Sequence, residues 1–256
     1  MKFLLRRIGL LTPNVRYVRS IPPRLLTPIH KFFGLKGATV DVLGSQMYLD
    51  PIECVDNGLW FLPHLYDRAE RAFIRREART GVFFDVGANI GFWSLYLARH
   101  FRQSRIIAIE ANPKTAELLR QNIARNAYPN VEVVETGVGP EVGQFELYLN
   151  TTGNRGGDSF VPDSRRSTRI PVQVQRLSDI IRERAVEAIE FMKMDIEGVE
   201  EGVLTEMFEH LPEAIWPRFI CVETIHSPAI EELLSDRGYS LELRARENAI
   251  FQRTPA

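Results

Sequence analysis

A run of apolar residues that ends in a glycine turn constrains this chain more than any other feature. The stretch from Phe83 to Gly91 reads Phe-Phe-Asp-Val-Gly-Ala-Asn-Ile-Gly, and apolar residues at helical spacing follow it from Phe92 to Leu97. This pattern predicts a buried strand, a tight turn and a helix, in that order. Gly87 and Gly91 allow a sharp turn and the close approach of a ligand, because neither carries a Cβ atom.

The turn departs from the dinucleotide-binding fingerprint at two positions. In the G-x-G-x-x-G pattern, the second glycine lets a pyrophosphate touch the backbone. Here Asn89 takes the place of the second glycine and Phe92 that of the third, and both side chains would crowd a pyrophosphate. The carboxylate of Asp85 would also repel phosphate. A cationic ligand without phosphate fits better, and S-adenosylmethionine is such a ligand.

A second acid strengthens the prediction of a nucleoside site. The next predicted strand spans residues 105–110 and ends in Glu110, which lies 23 positions after Gly87. This is near the spacing at which a strand-end carboxylate accepts hydrogen bonds from a ribose diol. A glycine turn alone is a weak indicator, whereas the turn together with the spaced acid predicts the site.

Strands and helices alternate from residue 82 onward. This alternation predicts an α/β fold with a Rossmann-like, doubly wound and mostly parallel sheet, in which ligands bind at the carboxyl ends of the strands. A hairpin with a Gly44-Ser45 turn and an amphipathic helix over residues 58–79, broken by Pro63 near its start, are predicted before the sheet. The first elements of the sheet are predicted as strand 82–86, helix 92–101, strand 105–110, helix 113–126 and strand 131–135.

Three motifs resemble those of the FkbM-type class I methyltransferases. They are D-V-G-A-N-I-G at 85–91, I-E-A-N-P at 109–113 and K-M-D-I-E-G-V-E at 193–200. The resemblance covers roughly residues 38 to 245. It implies a methyltransferase that uses S-adenosylmethionine, with a seven-stranded sheet whose last strand is antiparallel and with a hairpin and helix extension before it.

The resemblance also implies which residues bind the cofactor. In the family, the segment after the third strand touches the adenine, usually with Ala at the position of Gly137. The predicted cofactor-binding residues are Asp85, Gly87, Ala88, Asn89, Gly91, Phe92, Glu110, Asn112, Gly137, Val138 and Asp195.

Three residues are candidates for catalysis. A hydroxyl acceptor usually needs a base, and Asp195, Glu197 and His226 each follow a predicted core strand. The two acids could instead stabilise a turn and the start of a helix, His226 could be structural, and positioning alone can supply much of the rate. Mg²⁺ bound by Asp195, Glu197 and Glu223 is a further alternative, but carboxylates alone do not distinguish a metal site from a base. No metal ligand is therefore predicted.

A polar loop interrupts the alternation between residues 143 and 175. Two strands are predicted there, and residues 151–159 between them are rich in Gly, Asn, Thr and Ser. The loop is either a surface hairpin tip or a lid over the substrate, since loops of this length are often functional. The family carries a similar loop here, which favours the lid.

The first forty residues are strongly basic. They hold eight Lys and Arg residues and no Asp or Glu, whereas the remainder holds 24 basic and 33 acidic residues, a charge of −9. We predict a basic arm over residues 1–37 and a methyltransferase domain over residues 38–256. The arm suits an anionic membrane surface, or alternatively packs on the domain as an extension.

The overall composition excludes several classes of protein. The net charge of −1 gives no global bias toward nucleic acid, and two cysteines do not suggest a disulfide scaffold. No apolar run approaches the roughly 18 residues of a transmembrane helix. We therefore expect a cytoplasmic protein, with peripheral membrane attachment through the arm as an open alternative.

The predicted activity is methyl transfer from S-adenosylmethionine to a hydroxyl of a glycan, glycolipid or secondary metabolite. The partner is then a small-molecule, glycan-linked or lipid-linked acceptor. Two other functions are weighed against it: a non-catalytic binding module that keeps the methyltransferase fold at a membrane, and an NAD-dependent oxidoreductase. Asn89 and Phe92 argue against the oxidoreductase, because they crowd the place of a pyrophosphate.

Overall fold

The chain forms two compact units. A computed structural model describes residues 2–13, 26–29, 32–151, 153–162, 168–224, 227 and 229–254. The first unit comprises Met1–Arg68 with Asn150–Gly156, and the second comprises Ala69–Leu149 with Gly157–Ala256. The two units are defined by contacts within the fold. They do not test the predicted boundary after residue 37, which remains a prediction.

A β-hairpin with a helix on either side of it in the sequence lies in the described part of the first unit. Its elements are α1 (Lys2–Leu10), β1 (Ala38–Val42), β2 (Ser45–Leu49) and α2 (Cys54–Phe61). The hairpin is confirmed, but its turn consists of Leu43 and Gly44, with φ angles of 54° and 89°, and Ser45 already belongs to β2. Two left-handed residues are what a two-residue hairpin turn requires, because their twist matches that of the strands.

Helix α1 packs closely on α2 within the first unit. A Cβ atom on Gly9 would lie 2.5 Å from the carbonyl oxygen of Phe61, so glycine allows this approach. The buried guanidinium of Arg6 donates hydrogen bonds to the carbonyl oxygens of Trp60 and Asp41. Part of the predicted basic arm is therefore a packed extension.

The helical pattern predicted over residues 58–79 is broken near its start, as Pro63 indicated. Helix α2 ends at Phe61, and α3 (Arg68–Glu77) begins after a turn in which Asp67 has a φ angle of 42°. Pro63 lies in this turn and has no N–H group to continue a helix. Since the break comes after α2, the amphipathic pattern of residues 58–79 belongs to two helices.

The second unit carries most of the chain's secondary structure. Its parallel strands and the helices between them follow the predicted alternation, and two further strands close the sheet. The elements are β3 (Val82–Val86), α4 (Phe92–His100), β4 (Arg105–Glu110), α5 (Pro113–Ala124), β5 (Val131–Glu135), β6 (Gly137–Val138), β7 (Gly143–Tyr148), β8 (Arg169–Gln175), α6 (Leu177–Glu183), β9 (Phe191–Met194), α7 (Glu200–His210), β10 (Phe219–Glu223), α8 (Ala229–Asp236), β11 (Tyr239–Arg244) and β12 (Asn248–Arg253).

Seven strands form the main sheet in the order β11-β12-β10-β9-β3-β4-β5. Strands β10, β9, β3, β4 and β5 pair in parallel, and β12 runs antiparallel to both β10 and β11. The predicted fold class, with its antiparallel last strand, is confirmed. The chain runs from β3 to β4 and β5 on one side and returns to β9 and β10 on the other. This reversal opens a crevice at the carboxyl end of β3, where ligands bind in such sheets.

A second, smaller sheet interrupts the alternation as predicted. Strand β8 pairs antiparallel with β7 and parallel with the short β6. The pairing of Gly137 with Val174 brings the segment after β5 against this small sheet.

The central strands are buried on both faces, which explains their unbroken apolar character. Phe83 and Phe84 point to opposite faces of β3, and both are fully buried. The ring of Phe83 makes edge contacts with those of Phe101, at 4.9 Å between centroids, and Phe191, at 6.2 Å. Phe84 packs in the core cluster on the other face, with Ile107 and Met192 of the neighbouring strands.

Truncation of Phe84 tests the burial of the central strand. Phe84→Ala should lower the free energy of unfolding by about 3–5 kcal/mol, because it removes a fully buried ring and leaves a cavity. Phe145→Ala is the matched control, since this ring on β7 is 38% exposed, and its loss should cost about 1 kcal/mol or less. Chemical denaturation measures both. Equal losses in the two variants would contradict the observed packing.

Candidate functional site

The turn after β3 is fixed to both neighbouring strands. Gly87 has a φ angle of 79°, and a Cβ atom on it would overlap the carbonyl oxygen of Asp195 at the end of β9. On the other side, the backbone N–H groups of Gly87 and Ala88 donate to the carbonyl oxygen of Ile109 in β4, at 3.0 and 2.8 Å. Only glycine fits this position, so the residue that the sequence analysis singled out sets the spacing of the crevice.

The second half of the turn contains a strained asparagine. Asn89 has a φ angle of 49°, a left-handed conformation that asparagine tolerates better than most residues. Its side-chain oxygen is buried and, among the residues that the structure describes, has no hydrogen-bond partner. A buried amide oxygen without a donor is costly, and a ligand hydroxyl or ammonium group would relieve that cost. The predicted cofactor, which carries both kinds of donor, fits this position.

Gly91 begins helix α4 and lets it lie close to α5. Its φ angle is 92°, and a Cβ atom on it would lie 2.5 Å from a side-chain carbon of Leu119. Phe92 follows as the first helical residue and is buried, with its ring stacked on that of Tyr96 at 6.5 Å and under the guanidinium of Arg71 at 5.8 Å. The predicted contact of Phe92 with the cofactor remains a prediction.

Glu110 holds the turns after β3 and β4 together. One carboxylate oxygen accepts the backbone N–H of Asn89 at 2.8 Å, and the other accepts that of Asn112 at 2.9 Å. Each oxygen has a second lone pair, so the carboxylate can also accept hydroxyl groups from a ligand. Burial raises the pKa of Glu110 to about 7, helped by the negative charges of Asp158 and Asp85 and opposed by the two N–H groups.

The side chain of Asn112 serves the protein rather than an open pocket. Its oxygen accepts the backbone N–H of Lys114 at 3.0 Å and so caps helix α5. Its amide nitrogen donates to the carboxylate of Asp158 at 2.7 Å. The Asn112 side chain is thus engaged within the protein. A contact of Asn112 with the cofactor would involve its backbone, and the residue also positions Glu110.

Asp85 lies in the interior, on β3 opposite Lys193 of β9. It is 2% exposed, and its carboxylate accepts the hydroxyl of Ser94 at 2.5 Å. Burial raises the pKa of Asp85, while Ser94 and the positive charge of Lys193 oppose that rise. The Lys193 ammonium in turn contacts the carboxylate of Asp195 at 2.7 Å. Lys193 thus links the acid in β3 electrostatically to the acid that follows β9.

The turn after β9 carries two of the candidate catalytic acids, Asp195 and Glu197. The φ angles of Glu197 and Gly198 are 57° and 108°, so the turn is strained at Glu197. Glu200, which is 1% exposed, reaches back from the start of α7. Its two carboxylate oxygens accept the backbone N–H groups of Ile196 and Gly198, each at 2.9 Å.

Glu200 is a residue that the sequence analysis missed. It is the last letter of the quoted motif at 193–200 and stands in the first turn of a helix, where an acid is favoured. The sequence signal for Glu200 was its place in the first turn of a helix, where a carboxylate can accept the preceding backbone N–H groups.

Three predicted residues remain, Gly137, Val138 and His226, and the structure describes the first two. Gly137 and Val138 are buried in β6, beside the crevice. His226 lies outside the described residues, so only Asp195 and Glu197 of the three catalytic candidates can be placed. Within the described ranges, no group of three or more His, Cys, Asp or Glu side chains could hold a metal ion. The alternative of bound Mg²⁺ gains no support.

The chain has relatives among known methyltransferases. The sequence profile of the methyltransferase FkbM domain matches residues 85–241, more than half of the chain. The chain is 29% identical over 217 residues to methyltransferase sdnD of Sordaria araneosa, which covers 71% of this chain and 80% of that protein. It is 28% identical over 222 residues to the 31-O-demethyl-FK506 methyltransferase FkbM of Streptomyces tacrolimicus, which covers 72% of this chain and 83% of that protein.

The profile match begins at Asp85, the acid of the glycine turn, and it includes Glu110 and the whole motif at 193–200. The matched part thus contains every predicted cofactor-binding residue as well as Asp195, Glu197 and His226. The chain therefore belongs to the FkbM methyltransferase domain family and is an S-adenosylmethionine-dependent methyltransferase.

Proposed function

We propose that this enzyme methylates a hydroxyl oxygen of a glycan, glycolipid or secondary metabolite. The observation that carries the proposal is the carboxylate of Asp195, which follows β9 beside the glycine turn and is 40% exposed. A hydroxyl acceptor must lose its proton, and a carboxylate at the cofactor crevice can take it. The name of the FkbM relative, an O-demethyl-FK506 methyltransferase, supports transfer to oxygen. Family membership supports neither the non-catalytic module nor the NAD-dependent oxidoreductase.

The cofactor supplies an electrophilic methyl group carried on a sulfonium. The residues that would hold it are those whose acceptors meet at the crevice. Glu110 accepts the ribose hydroxyls, and the side-chain oxygen of Asn89 accepts a further donor. Gly87 keeps this turn against the end of β9, because a Cβ atom would overlap the carbonyl oxygen of Asp195. This set of acceptors suits a ligand rich in hydroxyl and ammonium groups and disfavours phosphate.

Asp195 is well placed to act as the base. Lys193 contacts one of its oxygens at 2.7 Å and so fixes the direction of the carboxylate. A carboxylate has two oxygens that accept protons or hydrogen bonds, so an acceptor hydroxyl can use the other one. Glu197 follows two residues later in the same turn, and His226 stays a candidate from the sequence alone.

The exposed face of α1 supports a second proposal, that the enzyme attaches to an anionic membrane surface. We call this surface the α1 apolar face and define it by Phe3, Leu4, Ile8 and Leu11. Leu4, Ile8 and Leu11 are 64%, 50% and 84% exposed, although apolar side chains of this size usually lie inside.

Lys2 and Arg7 lie in the same helix, and residues 1–40 contain no acid. An apolar face with flanking basic side chains suits the interface of an anionic bilayer. In the described part of the chain, no helix is long and apolar enough to cross a bilayer. The expected cytoplasmic location stays a prediction.

Glu110→Gln tests the cofactor assignment. A glutamine keeps the size but presents an NH₂ group to one of the two backbone N–H groups that Glu110 now accepts. Affinity for S-adenosylhomocysteine should fall roughly 10- to 150-fold, which corresponds to about 1.5–3 kcal/mol for bonds to a charged group. Calorimetry measures the affinity. Glu135→Gln is the control, because this acid ends the next strand and pairs with Arg120 at the surface.

The pH dependence sharpens the same test. With a pKa of about 7, Glu110 of the ligand-free protein is only partly ionised at neutral pH, whereas a ligand that donates hydrogen bonds favours the carboxylate. Affinity should therefore weaken as the pH falls through about 7, and binding near that pH should release protons. Both effects should vanish in Glu110→Gln. Wild-type affinity and proton release in that variant would show that Glu110 does not bind the ribose.

Asp195→Asn tests whether Asp195 acts as a base or only stabilises the turn after β9. If Asp195 takes the acceptor's proton, kcat should fall about 10²–10⁴-fold while the affinity for S-adenosylhomocysteine changes little. The assay uses a labelled methyl donor and a panel of hydroxylated acceptors. Asp179→Asn, at an exposed acid in α6, is the control. Full turnover in Asp195→Asn would mean that Glu197, His226 or solvent takes the acceptor's proton instead.

Introduction of two acidic side chains on the α1 apolar face tests membrane attachment. Leu4→Asp together with Ile8→Asp should abolish sedimentation with vesicles that contain phosphatidylserine, because the acids oppose both burial and the surface charge. Val142→Asp and Leu241→Asp, at exposed positions of the second unit, are the matched controls. Unchanged sedimentation of the α1 variant, or equal binding to neutral vesicles, would argue against the proposal.

A further inference from the structure

A short segment between β7 and β8 contacts the segments that follow β4, β5 and β9. We call residues 157–161, Gly-Asp-Ser-Phe-Val, the strap. Its anchor is Ser159, whose backbone exchanges two hydrogen bonds with Tyr148 at the end of β7, at 2.9 and 3.1 Å. Ser159 is also buried. The small sheet thus fixes the start of the strap beside the crevice.

The strap binds the turn that carries the catalytic acids. The Ser159 hydroxyl donates to the carbonyl oxygen of Glu197 at 2.6 Å and accepts the backbone N–H of Val161 at 3.0 Å. Glu197 has a left-handed backbone, a conformation that persists only where surrounding contacts impose it. Glu200 supplies two of those contacts from inside, and Ser159 supplies a third from the strap.

The next contact reaches the ribose end of the site. The carboxylate of Asp158 accepts the side-chain amide of Asn112 at 2.7 Å. The backbone N–H of the same asparagine donates to Glu110 at 2.9 Å. Asp158 is therefore connected to the predicted ribose acceptor through a single residue. Two carboxylates in this arrangement favour a ligand that brings several hydrogen-bond donors.

The third contact reaches the segment predicted to touch the adenine. A Cβ atom on Gly137 would lie 2.5 Å from the tip of the Phe160 ring. The family resemblance implies Ala at this position, and an alanine here would push the ring away. Glycine at 137 and phenylalanine at 160 are thus complementary, and the ring covers the adenine segment.

We propose that Asp158, Ser159 and Phe160 are positioning residues that hold the segments after β4, β5 and β9 in one geometry, and that the negative charge of Asp158 acts on Glu110 across Asn112. The inference rests on the proposed assignment of Glu110 to the cofactor ribose. It extends the expectation of a lid over the substrate, because these contacts place the strap on the cofactor side of the site.

Asp158→Asn tests the electrostatic part of the proposal. Asparagine keeps the size and an oxygen that can accept the Asn112 amide, but it removes the charge. The groups that act on Glu110 are the carboxylates of Asp158 and Asp85 and the N–H groups of Asn89 and Asn112. Loss of one negative neighbour lowers the pKa of Glu110, so the pH midpoint of S-adenosylhomocysteine binding should move to lower pH.

A steric double-mutant cycle tests the placement of Phe160. Gly137→Ala should weaken binding of S-adenosylhomocysteine at least about fivefold, because the ring must move. In a Phe160→Ala background the same substitution should have a smaller effect, since the nearer obstacle is gone and only the Val174 side-chain carbon at 2.9 Å remains. Equal effects of Gly137→Ala in both backgrounds would overturn the contact. Thermal denaturation checks that each variant folds.

Ser159→Ala tests the link to the catalytic turn. Amide hydrogen exchange of residues 195–200 should accelerate in the S-adenosylhomocysteine complex, because the turn loses its bond to the strap. Ser240→Ala, at an exposed hydroxyl of β11, should leave that exchange unchanged.

The outcomes distinguish the strap from the cofactor assignment. If the wild-type protein binds S-adenosylhomocysteine without a pH midpoint near 7, both the assignment of Glu110 to the ribose and the inference about the strap are wrong. If the wild type shows the midpoint but Asp158→Asn does not move it, and the Gly137 cycle is additive, the positioning role of the strap is refuted alone.

Discussion

The contact of Gly87 with the carbonyl of Asp195 is the constraint on which the site depends. Because no side chain separates them, the turn after β3 can lie directly against the end of β9, and both can share one crevice. The same turn is tied to β4 through the carbonyl of Ile109. Backbone contacts thus set the glycine turn against both β4 and the turn that carries the candidate catalytic acids.

Buried carboxylates give the crevice its chemical character. Glu110 and Glu200 each accept two backbone N–H groups, and Asp85 accepts a serine hydroxyl inside the sheet. These bonds stabilise strained turns by satisfying their N–H groups. The side-chain oxygens of Asn89 and Glu110 are the acceptors proposed for donors on the cofactor. Such acceptors would discriminate against phosphate-rich nucleotides and favour a cationic nucleoside.

The sequence predicted the parts that rest on local patterns. Strands 82–86 and 105–110 match β3 and β4 residue for residue, because both are apolar runs bounded by turn signals. The break that Pro63 predicted near the start of the stretch 58–79 is present, whereas the left-handed Asp67 between the two helices was not predicted. The contacts of Asp158 with Asn112 and of Ser159 with Glu197 join residues 46 and 38 positions apart, which no local pattern reveals.

The central claim is that the crevice at the end of β3 binds S-adenosylmethionine through acceptors rather than binding a dinucleotide. Calorimetric titration of the wild-type chain with S-adenosylhomocysteine, and separately with NAD⁺, tests this most directly. Saturable binding of S-adenosylhomocysteine with no measurable heat from NAD⁺ is the predicted result. Comparable binding of NAD⁺, or no binding of S-adenosylhomocysteine by the folded protein, would contradict it.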